Sequence, residues 1–296
     1  MSGGRRSDTF WQPRPDCGPD CLPPAGAGGV GPVRRALRFA GLLGVLVLGL
    51  GLLPVLPLAG AAGRAAVGRR WARGVLRVLG VRLVAGGAGR LPRRGALLVA
   101  NHTSWLDIVA VLALAPTRML AKREVRGWPL FGWLAAAGGT IFIDRSRPRA
   151  LPGTVREVAA ALRSGALVTV FPEGTTWCGV PRAGRCGGSG RFRPAMFQAA
   201  VEAGAAVVPL ALGYRAGDDP RGTTAAAFLG EESLYDSLRR VLAIRDLVVS
   251  VGVAPPLYPG PAADRRNLAR LAQLATPRPA PPRVRADHGV AVGTNA

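Results

Sequence analysis

The chain has 296 residues, 49% of them hydrophobic, and 39 Lys+Arg against 17 Asp+Glu, a formal charge of +22. This length and apolar content suffice for one packed catalytic domain with appendages and exclude a chain too polar to build a core. The charge points to an anionic partner such as nucleic acid, anionic lipid or a phosphorylated substrate. However, Lys122 is the only lysine, and Arg, Ala, Gly and Pro are all abundant. About half of the excess is therefore assigned to coding bias, and nucleic acid is set aside as a partner.

Residues 1–32 are rich in Gly, Pro and Arg without periodicity and read as a disordered tail, as do residues 276–296. His288, one of only two histidines, falls in the second tail and is expected to be solvated. Residues 33–80 read as a membrane-anchoring helical segment. From Phe39 to Gly63 there is no charge, which is long enough to cross a bilayer, but Pro54 and Pro57 divide the run. Arginines flank it on both sides (34, 35 and 38; 64, 69, 70 and 73), so the positive-inside rule selects no orientation. A re-entrant or interfacial hairpin with both ends at one leaflet fits this pattern better than a cleaved signal peptide. GRRWARGVLRVLG (68–80) then sets Arg69, Arg73 and Arg77 opposite Trp71, Val75 and Val78, a basic amphipathic helix suited to a membrane surface.

From residue 81 to 275, β-branched runs alternate with Ala-rich helical stretches. Strands are expected at 81–85, 96–100, 140–144, 166–171, 207–212 and 247–254, and helices at 105–115, 152–165 and 194–205. This alternation predicts an α/β domain, a mostly parallel central sheet flanked by helices. Sites in such sheets gather beyond the carboxyl ends of the strands. NHTSWLD (101–107), DRSRP (144–148) and FPEGT (171–175) each occupy that position. Were 102–107 one regular helix, His102 and Asp107 would lie roughly 140° apart. His102 is therefore expected in the turn before the helix, with Ser104 as N-cap, where Asp107 can reach back to the imidazole. Arg145 at a strand end suits a phosphate bidentately.

The four cysteines, Cys17, Cys21, Cys178 and Cys186, form CxxxC and CxxxxxxxC. Neither has the two-residue spacing of a zinc knuckle, so free thiols in a reducing compartment and no metal are expected.

The order NHxxxxD, FIxR, FPEGT and a Val-Pro strand, over roughly residues 80 to 255, resembles the glycerolipid acyltransferases: the 1-acylglycerol-3-phosphate and related lysophospholipid acyltransferases. The resemblance implies that His102 deprotonates an acceptor hydroxyl and that Asp107 orients it. It also implies that Arg145, Glu173, Gly174 and Thr175 bind the glycerol-phosphate region of 1-acylglycerol-3-phosphate, giving phosphatidic acid. The donor would be acyl-CoA or acyl carrier protein, with no cofactor. The partners would be a lysophospholipid and the membrane surface, at the cytoplasmic face of the cell membrane. This sequence departs from many members in having Thr176, Trp177 and Cys178 after FPEGT instead of an arginine. Lys122, Arg182, Arg191 or Arg193 would then supply the phosphate ligand, and a lyso-ornithine lipid or another lysolipid is the alternative acceptor. Two rival readings are a Cys178-dependent thioesterase or hydrolase and a non-catalytic basic membrane-binding protein.

Overall fold

The computed structural model describes residues 13–24, 29–181, 186–217, 222–260 and 263–276. His288 and most of the expected C-terminal tail lie outside them, as does Arg182. Seven strands form one sheet: β1 (Val81–Gly86), β2 (Ala96–Ala100), β3 (Thr117–Lys122), β4 (Ile141–Ile143), β5 (Leu167–Val170), β6 (Ala206–Ala216) and β7 (Leu247–Val253). Their spatial order is β1-β7-β6-β2-β5-β3-β4. Neighbours are parallel except β6 and β7, so the sheet is mostly parallel. Strand β3 is an addition to the six expected from sequence.

Central β2, ALLVA, is apolar throughout because both of its faces are covered. Leu97 and Val99 pack with Val158 of α5 (Leu151–Arg163), Phe197 of α6 (Phe197–Ala203) and Leu268 of α8 (Arg265–Ala275). Ala96, Leu98 and Ala100 point to the other layer, with Leu106 of α3 (Leu106–Leu114) and Leu242 of α7 (Leu234–Ala243). Leu97 and Leu98 are fully buried, each worth about 1.5–3 kcal/mol relative to exposure.

The apolar segment forms α1 (Pro32–Leu52), which stops just short of Pro54, and α2 (Ala61–Leu79) returns beside it. Helix α1 is long and apolar enough to cross a membrane. It also packs on the domain: Leu42 and Leu46 join the core, Gly49 leaves room for Trp71, and the Trp71 indole donates to the Val45 carbonyl at 2.9 Å. Arg38 is buried at the end of α7, donating to the carbonyls of Leu242 and Ile244 at 2.8 Å each. The opposite side of the α1 hairpin exposes Val33, Leu37, Leu43, Val47, Leu48 and Leu58. Helix α2 is less of a free surface anchor than its sequence suggests, because Ala72, Val75, Leu76 and Leu79 are buried and the Arg73 guanidinium bonds the Ala113 carbonyl of α3.

The expectation of a featureless tail over 1–32 is corrected for its described part. Residues 13–24 pass through a 3-10 turn, Pro19–Cys21, with Cys17 and Cys21 buried. Thr224 Oγ1 donates to the Cys21 carbonyl at 2.6 Å, and Val30 N–H donates to the Ala243 carbonyl at 2.8 Å. Composition hid this because the arm is held by thiols, prolines and backbone bonds, not by an apolar stripe.

Candidate active site

Strand β2 delivers the chain to the carboxyl edge of the sheet, and Asn101 fastens it there. Its amide donates to the Leu212 carbonyl at 2.9 Å and accepts from the Leu212 N–H at 2.7 Å, continuing the pairing with β6 after the ladder ends. His102 to Ser104 form a turn, and α3 begins at Leu106. Ser104 Oγ accepts the Leu106 N–H at 3.3 Å, but the N-cap of α3 is Trp105, one residue later than the sequence predicts and without a side-chain cap bond, because the turn before the helix is closed by the Asp107 carboxylate instead.

Asp107, in the first turn of α3, is wholly buried and collects four donors. Its Oδ2 takes His102 Nδ1 at 2.8 Å and the N–H groups of Thr103 at 2.6 Å and Ser104 at 2.8 Å. Its Oδ1 takes the hydroxyl of Tyr214. Closure of the turn before α3 and imidazole orientation are therefore one arrangement, in which the carboxylate that closes the turn also fixes the ring. Burial, and then the Asp107 charge, push the Tyr214 hydroxyl well above its usual range, so it stays a donor. Tyr214 is a site residue that the motif reading missed. The signal was present in β6, where Val208, Leu210, Leu212 and Tyr214 share one face at a period of two.

The His102 ring stacks on Phe171, with centroids 4.0 Å apart and planes 13° apart. With Nδ1 donating to Asp107, Nε2 is left as the nitrogen able to accept a proton, and the side chain is 18% exposed, within reach of a substrate. The backbone of His102 is clamped as well. Its N–H donates to Glu173 Oε2 at 2.6 Å, and its carbonyl accepts from Trp177 N–H at 2.8 Å.

Adjacency of β2 and β5 brings Glu173 to His102. Glu173 is 2% exposed, and its second oxygen accepts the Gly190 N–H at 2.9 Å. With both oxygens occupied by backbone, this carboxyl holds the His102 turn and the 190 loop together and does not present a free ligand to substrate. Burial raises it to about 8, against the two backbone N–H bonds that lower it. A carboxyl raised from 4.5 to about 8 by folding favours the native state fully below pH 4.5, and that contribution is lost as pH rises through 8. The melting temperature of the detergent-solubilised protein should therefore fall between pH 5 and about 8.5, and Glu173→Gln should flatten the fall. Identical slopes for both proteins would remove Glu173 from this account.

Gly174 follows with φ +78°, a left-handed turn, and a side chain there would strike Pro13 of the N-terminal arm. Arg145, two residues beyond β4, donates to the Gly174 carbonyl. Thr175 is half-buried on the same loop. Lys122 ends β3, whose last residue pairs with Ile143 of β4. Burial, then the Arg145 charge, hold Lys122 below its usual range, and burial lowers Arg145, with the Glu124 charge opposing and Arg193 adding to the shift. Lys122, Arg145 and Arg193 thus form a group of net positive charge beside the FPEGT loop, partly offset by Glu124 and suited to an anionic group. Cys178 does not join His102: its thiol donates to the Val180 carbonyl at 3.1 Å, among the other cysteines.

Phe228 N–H donates to the Thr103 carbonyl at 2.9 Å, which sets the next feature beside the His102 turn. It is an open groove of about 410 Å³ lined mainly by Trp128, Pro129, Phe131, Phe228 and Leu234. Trp128, Leu130, Phe131 and Trp133 expose apolar surface at its rim.

A mostly parallel sheet carrying these motifs beyond the carboxyl ends of β2, β4 and β5 is the arrangement of an acyltransferase. A family model described as Acyltransferase matches residues 82–213. The lyso-ornithine lipid O-acyltransferase of Pseudomonas aeruginosa is 37% identical over 255 residues, 82% of this chain and 92% of that protein. The 1-acyl-sn-glycerol-3-phosphate acyltransferase of Neisseria meningitidis is 35% identical over 179 residues, 60% of this chain and 67% of that protein. The crystal structure of the 1-acyl-sn-glycerophosphate (LPA) acyltransferase PlsC from Thermotoga maritima shares the fold, with a TM-score of 0.62 at 19% identity over 82% of this chain and 91% of that one. The chain belongs to the glycerolipid acyltransferase family and is an acyltransferase.

Proposed function

We propose that this enzyme moves a fatty acyl chain from acyl-CoA or acyl carrier protein to the free hydroxyl of a lysophospholipid, with His102 as general base. The observation that carries the reading is the His102–Asp107 bond of 2.8 Å, with Nε2 left available. A thioester is already activated, so a positioned base and an oriented hydroxyl suffice for direct transfer. The hydroxyl oxygen attacks the thioester carbonyl, Nε2 takes its proton, and the thiolate leaves with a proton returned from the imidazolium.

The cationic cluster of Lys122, Arg145 and Arg193 favours 1-acylglycerol-3-phosphate as acceptor, with phosphatidic acid as product. A specific observation favours a second reading: the relative matched over 92% of its length is a lyso-ornithine lipid O-acyltransferase. Incubating a membrane fraction with labelled acyl-CoA and both lysolipids separates the two, and no product from any lysolipid would sink the proposal. We assign the acyl chain to the groove beside Phe228. Leu234→Trp should narrow it and shift the product profile toward shorter chains in a mixed acyl-CoA competition, whereas an unchanged profile would place the chain elsewhere.

The topology proposed is a membrane-inserted hairpin with both ends on the cytoplasmic side, where the thioester donors are. The support is that residues 13–24, before α1, dock on the same domain that follows α2. The exposed arginines of α2 add attraction to anionic lipid of about 1 kcal/mol each. Cysteine labelling in intact cells should find Ser2 and Ala296 equally protected from an impermeant reagent. Labelling of the Ser2→Cys variant alone would require a single span.

A further inference from the structure

The mechanism leaves all four cysteines of the chain unused, yet the fold brings them to one point. Cys17 and Cys21 lie on the N-terminal arm, Cys178 and Cys186 on the loop after FPEGT, and all four sulfurs fall within 4.8 Å of one another. Cys21 and Cys186 are 3.5 Å apart, Cys178 and Cys186 3.2 Å. These are not disulfide separations, which are about 2.05 Å. Four thiolates around zinc, at about 2.3 Å from the metal, stand about 3.8 Å from each other, and the observed separations bracket that value. Cys17, Cys21 and Cys178 are buried, and the Cys178 N–H points at Cys17 Sγ at 3.4 Å, the kind of backbone donor that supports a thiolate. Trp177, Ala227 and Leu229 pack around the group, with Cys186 half-buried at its edge.

We propose that Cys17, Cys21, Cys178 and Cys186 bind one structural zinc ion as a tetrathiolate, clipping the N-terminal arm to the loop that follows FPEGT. Binding displaces four thiol protons to solvent and forms four Zn–S bonds, with no change of oxidation state. A closed set of four protein ligands leaves no position for substrate, so the ion is structural. Its place explains why an arm without an apolar stripe is seated at all. The loop it fastens begins one residue after Trp177, whose N–H holds the His102 carbonyl. The arm also lays Pro13 over Gly174.

The test uses the full chain, purified in detergent without chelators. Elemental analysis should find one zinc per chain, and four thiols should become titratable only after denaturation with a chelator. Exchange for cobalt(II) in the wild-type protein should give the intense visible bands of tetrahedral thiolate coordination. The double variant Cys17→Ser, Cys21→Ser should lose both the zinc and the cobalt spectrum. The cobalt experiment on the wild-type chain decides the matter even if that variant fails to fold. The proposal is overturned by purified protein that holds no zinc and develops no cobalt spectrum, by iron at the site, by recovery of disulfides, or by zinc retained in a variant with all four cysteines replaced by serine.

Discussion

His102→Ala should abolish acyl transfer while leaving the protein folded. The ring contributes a stack on Phe171 and one bond to Asp107, whereas the turn itself is held by backbone groups of residues 102, 103 and 104. Loss of a general base costs about 10² to 10⁴ in rate, so turnover in a labelled acyl-CoA assay should drop to about 1% or less. Retention of more than a few per cent would falsify the assignment of His102 as base. Asp107→Asn is the more discriminating partner experiment. An asparagine can keep its carbonyl oxygen on His102, Thr103 and Ser104 and turn its NH₂ toward Tyr214, whose hydroxyl can accept as well as donate. The turn then survives and only the negative charge that steadies the imidazolium is lost, so weak activity with near-normal stability is expected. Wild-type activity in this variant would mean that the carboxylate serves the turn alone.

Arg145→Ala should weaken acceptor binding. A guanidinium paired with an anionic head group is worth about 1.5–3 kcal/mol, so the KM for a phosphate-bearing acceptor should rise about tenfold to a hundredfold. The KM for the acyl donor should change much less. Arg145→Lys keeps the charge but not the planar fork, and an intermediate KM is expected. An equal loss for donor and acceptor would show that Arg145 acts only through its bond to the Gly174 carbonyl and not on the head group.

Much of this site was legible because its motifs are contiguous and sit where apolar runs end. ALLVA followed by NHTSWLD carries a buried strand, a turn and a helix start in twelve residues, and the helical-wheel argument against a continuous helix through His102 matches the observed turn. What escaped was set by long-range pairing. TRMLAK reads poorly as a strand because Arg118 and Lys122 interrupt it, and only its neighbours β4 and β5 give it a place. Tyr214 lies past the VVPLAL run, beyond Gly213, and its relevance depends on Asp107, which is 107 residues away. Glu173 reads in sequence as a ligand for the glycerol-phosphate region, whereas its partners are the backbone N–H groups of His102 and Gly190, invisible to a residue-type reading. The meeting of the four cysteines was also hidden, because CxxxC and CxxxxxxxC are read one at a time in sequence, whereas the fold joins two halves 161 residues apart.

The docking of the N-terminal arm also sets an order of events during synthesis. Cys21 is held by Thr224, Val30 by Ala243 and Arg38 by the end of α7, so the segment made first finds its partners more than 200 residues later. At about 5–20 residues per second the ribosome needs roughly 10–40 s to supply them. Until Cys178 and Cys186 have been made the thiols of the arm have no second pair to meet, and until residues 224–244 follow the polypeptide before α1 has no complete seat. On the proposed topology the hairpin of α1 and α2 enters the bilayer at that stage, and the last-made strands then fold against a chain that is already tethered. A bulky fusion placed before residue 13 acts on this final closing step. It should lower the yield of active enzyme far more than an equal fusion after residue 276, at unchanged total expression.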